Sequence, residues 1–177
     1  MFLAEFDSFD EIFIDANIWS YFVLRNPSFQ RDCTHFLERV EQGTVHGVTS
    51  NFVLNEVAYV VLIGKGSEIL NTASISKIKE KLRQDAAFSL QCYKACSDFL
   101  DYVSVLKAKG LRIIDVGYDL TVPSFDLGKR HQLLVTDALH AATCQAHNIK
   151  HIATNDADFD RIDFLNVWKP QSTTAVS

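Results

Sequence analysis

Four acidic side chains stand at positions where a metal site would form if the chain folds as its pattern predicts. They are Asp15, Glu56, Asp137 and Asp156. Asp15 closes the apolar segment 11–16, Asp156 follows the apolar segment 151–154, and Asp137 opens a helical pattern. Ligands of open α/β sheets bind beyond the carboxyl ends of the strands. We therefore expect these three acids to meet at one rim of a sheet.

Glu56 is the least expected of the four. Its helical neighbours at three and four residues are apolar or aromatic: Phe52, Val53, Tyr59 and Val60. This pattern is typical of a helix face that packs against the protein. An ionised carboxylate on such a face is costly unless it is paired or bound to metal. Residues 51–63 contain no lysine or arginine that could pair with it locally.

A cluster of four carboxylates requires cations, because like charges raise one another's pKa and destabilise the fold. Mg²⁺ and Mn²⁺ prefer oxygen ligands. Such an ion can orient a phosphate, stabilise its developing charge and activate water. The four acids together thus favour metal-dependent hydrolysis of a phosphodiester. Taken singly, Asp15 could close a turn, Asp137 could serve only the helix dipole, and Asp156 could cap a helix.

The elements that position these acids alternate between strand and helix. Strands are predicted at 11–16, 45–49, 111–116 and 151–154, with an edge strand at 166–168. Helices are predicted at 17–24, 28–42, 52–63, 74–82, 86–109, 120–132 and 136–147, with a helical turn at 156–161. Gly64 is expected to end the third helix, and Pro123 to interrupt the sixth. Apolar strands alternating with helices predict a parallel sheet covered on both faces.

Composition narrows the class of protein. The 177 residues fit one domain, and the net charge of −5 with a pI ≈ 5.6 argues against nucleic-acid binding through a broad basic face. Any such partner must be held at a local site or by metal ions. The four cysteines form no C-x-x-C pair and are expected to be reduced core residues. Without a signal-peptide pattern or a long apolar run, the sequence predicts a cytoplasmic protein that does not enter membranes.

Four short segments carry a resemblance to a known family. They are FIDANIW at 13–19, NEV at 55–57, TDALHAAT at 136–143 and ATNDADF at 153–159. In order and spacing they resemble the motifs of PIN domains over residues 12–164, and most closely those of stand-alone prokaryotic PIN proteins such as the VapC-type toxins. The resemblance implies a three-layer, Rossmann-like α/β/α fold with a central, mostly parallel sheet of four to five strands. Residues 1–168 would form the single PIN domain, and 169–177 a flexible tail.

The resemblance also implies an activity, namely Mg²⁺- or Mn²⁺-dependent endoribonuclease cleavage that leaves 5′-phosphate and 3′-hydroxyl ends. The residues that match the catalytic and metal-binding acids are Asp15, Glu56, Asp137 and Asp156. Three further residues match supporting positions. Asn17 matches the polar residue that hydrogen-bonds the first acid, Thr154 the hydroxyl residue before the last acid, and Asp158 a second acid often present there. His140, within a turn of Asp137, is interpreted as structural.

The partners implied by the resemblance are an RNA substrate, a second copy of the chain, and a small antitoxin if the protein is a toxin. Two departures from the family pattern stand out. Ala16 replaces a frequent Thr or Ser, and the stretch 65–84 is longer than in compact toxins. One alternative is a PIN module that binds RNA or an antitoxin without cleaving. A haloacid-dehalogenase-type phosphatase fits poorly, because it needs a second Asp where this chain has Asn17, and a lysine near the later motifs.

Overall fold

The computed structural model, which describes residues 1–173, contains one five-stranded sheet. Its strands are β1 (Ile12–Ile14), β2 (Gly47–Ser50), β3 (Arg112–Ile114), β4 (His151–Ala153) and β5 (Asn166–Trp168). Their order is β3-β2-β1-β4-β5, and every neighbouring pair is parallel. All carboxyl ends therefore face one rim. The α/β class and the edge strand at 166–168 are confirmed, and the sheet is wholly rather than mostly parallel.

Helices connect the strands and cover the sheet. They are α1 (Ala16–Val23), α2 (Gln30–Glu41), α3 (Asn51–Leu70), α4 (Ile75–Gln84), α5 (Ala86–Ala108), α6 (Thr121–His131) and α7 (Val135–Ala146). Helices α1, α2, α3 and α5 contact one another, whereas α6 packs mainly on α7. From β1 to β3 the chain moves one way across the sheet, and from β3 to β5 it moves the other. Right-handed crossovers then place the two helix groups on opposite faces.

The central strands are buried on both faces. All residues of β1 are fully buried, and so are Val48 of β2 and Ile152 of β4. This explains why the strands read as apolar runs without alternation. Most core residues belong to one cluster. A smaller cluster of Ile78, Phe88 and Cys92 lies under α4.

Helix α3 does not end at Gly64, contrary to the sequence prediction. It runs to Leu70, and its glycines permit close packing instead. A Cβ at Gly66 would lie 2.5 Å from Ile78 Cγ2, and one at Gly64 would lie 2.9 Å from Leu24 Cδ2. The 65–84 stretch thus forms the last turns of α3 and the returning helix α4, packed together through Gly66.

Helix α6 is also continuous, so the predicted interruption at Pro123 is wrong. The helix begins at Thr121, which places Pro123 in its first turn. The N–H groups of that turn have no intrahelical acceptor, so proline loses nothing there. Other predicted boundaries differ from the observed ones by a few residues, the range over which helix ends fray.

The ends of the described chain lie together beside β5. Phe2 forms a parallel bridge with Lys169, and the Leu3 amide donates to the Lys169 carbonyl. Further on, the Gln171 amide donates to Asp32 and the Thr173 amide to the Ser28 carbonyl. Residues 169–173 of the predicted tail therefore contact the helical layer. Residues 174–177 lie outside the described residues.

The cysteine prediction is confirmed. The four cysteine thiols, Cys33, Cys92, Cys96 and Cys144, are free and buried. No helix among residues 1–173 combines the length and apolar character needed to cross a membrane.

Candidate active site

Asp15 is the first residue beyond the central strand β1, and it caps the N-terminus of α1. It is 6% exposed. Its Oδ1 accepts a hydrogen bond from the Ala16 amide at 2.7 Å. Its Oδ2 accepts from Asn17 Nδ2 at 2.5 Å and from Thr154 Oγ1 at 2.7 Å. Three hydrogen bonds thus hold the carboxylate in one orientation, and Asn17 contacts it as the resemblance implied.

The Thr154 hydroxyl joins two adjacent strand ends. Thr154 follows β4, is fully buried, and donates to Asp15. The same oxygen accepts from Asn17 Nδ2 at 2.8 Å and from the Asp156 amide at 3.0 Å. One donor and two acceptor positions are all used, so the hydroxyl is fully satisfied. This single oxygen couples the acid after β1 to the turn that carries Asp156.

Three carboxylates converge beside this hydroxyl. Asp156 caps the 3₁₀ turn Ala157–Arg161, and its Oδ1 accepts from the Asp158 amide at 2.8 Å. Asp137 projects from the first turn of α7. One carboxylate oxygen from each of Asp137, Asp156 and Asp158 lies within 4.8 Å of the others. Asp158, predicted only as a supporting residue, is therefore an equal member of the compact set.

Burial, together with neighbouring acids, makes Asp137 and Asp15 hard to ionise. Burial, then the charges of Asp156 and Asp15, raise the pKa of Asp137 to about 6. Burial also raises the pKa of Asp15, although His140, Thr154 and the Ala16 amide favour its charged form. Both shifts are expected of carboxylates gathered without a cation. The cluster is therefore arranged at an electrostatic cost that a bound cation would remove.

Glu56 lies beside this set and contacts it through a histidine. Glu56 Oε2 is 2.8 Å from Nε2 of His140, and the same nitrogen is 4.0 Å from Asp15 Oδ1. Burial lowers the pKa of His140, but the Glu56 hydrogen bond and the charges of Asp15, Glu56 and Asp137 outweigh it and raise that pKa. Glu56 does not belong to the compact group of three acids found among the described residues.

The prediction that Glu56 lies on a buried face is wrong. Its side chain is 33% exposed, and its helical neighbours Phe52 and Tyr59 are 43% and 45% exposed. The buried stripe of α3 is formed by Val53, Val57 and Val61 instead.

His140 was missed as a site residue. It is 1% exposed, and its Nδ1 has no hydrogen-bond partner among residues 1–173. It lies three residues after Asp137 on α7, a spacing that places both side chains on the same helix face. That spacing was the available signal. A histidine that shares a helix face with an acid predicted to bind metal should therefore be included in the predicted site.

The Arg161 guanidinium contacts the cluster from the solvent side. Arg161 Nη2 donates to Asp158 Oδ1 at 2.6 Å, and its Nη1 donates to the Gln132 carbonyl at 2.9 Å. Arg161 therefore offsets part of the charge of Asp158.

The donor set fits a hard divalent cation. The clustered groups are carboxylates, the ligands that Mg²⁺ and Mn²⁺ prefer, and no thiol lies among them. The raised pKa of Asp137, caused first by burial and then by its acidic neighbours, is a further sign of charge that a cation would neutralise.

Comparison with known proteins identifies related chains. The family model described as PIN domain matches residues 12–165. Ribonuclease VapC2 of Methanocaldococcus jannaschii is 24% identical over 168 residues, which cover 89% of this chain and 93% of that protein. Ribonuclease VapC6 of the same organism is 34% identical over 65 residues, 37% of this chain. This match spans 42% of the length of VapC6.

Solved structures show the same fold. VapC20 of Mycobacterium tuberculosis, described as a Sarcin-Ricin loop cleaving toxin, superposes with a TM-score of 0.56 at 16% identity, covering 87% of this chain and 96% of VapC20. A chain of VapBC2 from Rickettsia felis, bound to a DNA fragment from its promoter, gives 0.52 at 20% identity, covering 91% and 99%. At these identities the likeness concerns the fold alone.

Proposed function

The chain belongs to the PIN-domain family, and from this premise we propose that it is a metal-dependent endoribonuclease that hydrolyses RNA phosphodiester bonds. One observation carries the proposal. Asp137, Asp156 and Asp158 bring carboxylate oxygens within 4.8 Å of one another, at the rim where β1 and β4 end. The relatives named as ribonucleases support the reaction class.

Asp137, Asp156 and Asp158, with Asp15 beside them, would hold Mg²⁺ or Mn²⁺, and Glu56 would complete the site from α3. When bound, the ion supplies positive charge that neutralises the acids, polarises the scissile phosphate and favours attack by water. The oxygen-only donor set of the compact group supports this assignment.

The remaining residues orient and balance this arrangement. Thr154 and Asn17 fix the Asp15 carboxylate through Oδ2, so it needs little reorganisation during the reaction. His140 hydrogen-bonds Glu56 and approaches Asp15, which offsets negative charge that would repel a phosphate. Arg161 lies at the open side of Asp158 and is placed to attract the RNA backbone.

The partners follow from the same proposal. The substrate is RNA, and a small antitoxin would control the enzyme if it is the toxin of a toxin–antitoxin pair, as the VapC names of its relatives suggest. We also propose a homodimer in the cytoplasm. A PIN module that binds RNA or antitoxin without cleaving is the alternative.

Cleavage of a mixed RNA pool tests the activity. With Mg²⁺ or Mn²⁺, the protein should cut RNA and leave 5′-phosphate ends, and a chelator should stop the reaction. Asp15→Asn should reduce cleavage at least about 100-fold, the scale typical of losing a preorganised polar group. Asp7→Asn is the matched control, because Asp7 is an exposed acid that precedes β1, whereas the site lies beyond the carboxyl end of that strand. Unchanged, metal-independent cleavage by Asp15→Asn would reject the site.

A further inference from the structure

Two exposed aromatic rings flank the glutamate of the site. Phe52 lies four residues before Glu56 on α3, and Tyr59 lies three residues after it. These spacings place neighbouring side chains on one helix face. Phe52 is 43% exposed and Tyr59 is 45% exposed, so both rings present surface to solvent. Burying such surface in water-free contact would be favourable, and the core of residues 1–173 does not use it.

The spacing of the rings suits a chain that passes through the site. Phe52 and Tyr59 are seven positions apart on the α-helix, which corresponds to about 10 Å along its axis. Glu56 lies between them. A strand with its phosphate at the acids could therefore offer one flanking base to each ring.

A cation accompanies one of the rings. Lys79 of α4 places its Nζ 5.2 Å from the centroid of the Tyr59 ring. It reaches this position because α4 turns back along α3, packed through Gly66 and Ile78. The 65–84 stretch thus brings a positive charge next to Tyr59. The ammonium lies over the ring itself, so a base would stack on the Tyr59 ring as the Lys79 ammonium turns to the negative phosphate.

We propose that Phe52, Tyr59 and Lys79 form a binding strip for single-stranded RNA, with bases stacked on the rings on both sides of the scissile phosphate. The proposal rests on the proposed ribonuclease function and extends it to a substrate class. Single-stranded RNA exposes the base faces that aromatic side chains stack on, whereas a duplex hides them. The stretch 65–84 contributes Lys79 and so takes part in holding the substrate.

A protein partner is less well matched to the same strip. The rings are interrupted by the Glu56 carboxylate, which is 33% exposed, and the Tyr59 ring is accompanied by a lysine. Interface cores are depleted of charged residues, so this alternation disfavours one. Continuity with the acids favours the substrate.

Fluorescence anisotropy with a fluorescein-labelled, mixed-sequence 12-nucleotide RNA tests the strip, using the Asp15→Asn background to prevent cleavage. Phe52→Ala and Tyr59→Ala should each weaken binding about five-fold or more, the lower range for a stacked base. Tyr59→Phe should retain binding, because it keeps the ring. Lys79→Gln should weaken binding and reduce its salt dependence. Lys150→Gln should do neither, because Lys150 is exposed at the amino-terminal end of β4, away from the acids.

Phe9→Ala is the matched control for the rings. Phe9 is 96% exposed and precedes β1, whereas the site lies beyond the carboxyl end of that strand. In the cleaving protein, Phe52→Ala and Tyr59→Ala should raise KM more than they lower kcat. If wild-type protein cleaves RNA but these two variants bind like Phe9→Ala, the strip is rejected while the nuclease stands. If wild-type protein does not cleave, the proposed function itself fails. A change of oligomeric state by light scattering, with unaltered RNA affinity, would also overturn the strip.

Discussion

At the scale of single residues, the Thr154 hydroxyl decides the geometry of the site. It is one oxygen with one hydrogen, yet it contacts Asp15, Asn17 and the Asp156 amide. Because it is fully buried, water cannot replace any of these bonds at low cost. The orientation of Asp15 and the position of the Asp156 turn therefore depend on the same group.

Replacing this hydroxyl should damage stability and activity together. Thr154→Val keeps the shape but removes the acceptor of the Asp156 N–H and of one Asn17 N–H, and the donor to Asp15. We expect a loss of about 1–3 kcal/mol in the free energy of unfolding, the cost of buried unpaired groups. Thr154→Ser keeps the hydroxyl and should restore most of the stability and the cleavage rate. Urea unfolding of both variants measures this; equal stability for Val and Ser would contradict the role.

The raised pKa of Asp137 has a consequence for stability. Burial and acidic neighbours raise it from 3.8 to about 6, so the folded state favours the protonated form. Without metal, the folded protein should then lose stability relative to the unfolded chain as pH rises through this interval. Asp137→Asn removes that loss. It should gain no more than about 1 kcal/mol at pH 7.5, after allowing for solvent screening, relative to its effect at low pH.

Unfolding by urea in the presence of chelator, at about pH 4 and pH 7.5, separates this effect from simple loss of packing. The relative gain should appear only at the higher pH. If Asp137→Asn changed the free energy of unfolding equally at both pH values, ionisation of Asp137 would not destabilise the fold.

Only part of the site was predictable from residue types. Asp15 and Asp156 follow apolar strands, and parallel topology brings such positions to one rim. The hydrogen bonds that organise them join residues 137 and 139 positions apart, which no local pattern reveals. The compact grouping of Asp158 depends on the 3₁₀ turn, and the pairing of Glu56 with His140 depends on how α3 meets α7.

At the scale of elements, helices α3 and α6 show why two sequence rules failed. Gly64 suggested a helix end, but α3 continues because Leu24 and Ile78 approach its backbone closely. Pro123 suggested a break, but it falls in the first turn of α6. For Gly64 the deciding fact was tertiary packing, whereas for Pro123 it was the residue at which the helix begins. The strands and the long periodic helix α5 needed no such information, since their apolar pattern specified them.

The two glycines of α3 should respond differently to alanine. Gly66→Ala would place its Cβ 2.5 Å from Ile78, a core side chain, and should cost about 1–3 kcal/mol despite better helix propensity. Gly64→Ala meets only the tip of Leu24 at 2.9 Å, which can rotate, so its cost should be small or its effect stabilising.

Thermal unfolding of these two variants measures the difference. Because α4 carries Lys79, Gly66→Ala should also weaken RNA binding. Equal melting temperatures for the two variants would show that α4 is not packed tightly through Gly66.

At the scale of the whole molecule, a chain with a net charge of −5 gathers several of its acidic side chains at one rim. Several of its acids repel one another there, so a divalent cation should bind the folded chain and not the unfolded one. Mn²⁺ at ten times its Kd should stabilise the fold by about 1.4 kcal/mol and raise Tm by about 3–5 °C. The rise should be smaller at pH 5, where a proton competes for Asp137.

Two variants locate the ion within the site. Asp156→Asn should lose most of the Mn²⁺-induced rise in Tm, because it belongs to the compact group. Glu56→Gln should keep most of it, since Glu56 bonds to His140. Greater loss in Glu56→Gln than in Asp156→Asn would place the ion nearer α3.

The strand order has a consequence for when the site comes into existence. The central strand β1 pairs with β4, and Asp15 obtains its hydroxyl partner from Thr154, so the rim cannot assemble until the chain has been synthesised through β4 and Thr154. A nascent chain that ends before β4 already contains Asp15, Glu56 and Asp137 but lacks Asp156 and Asp158. The enzyme we propose would thus stay inert beside the RNA of the ribosome that makes it, and become able to cut only after β4 and the acids that follow it have folded onto β1.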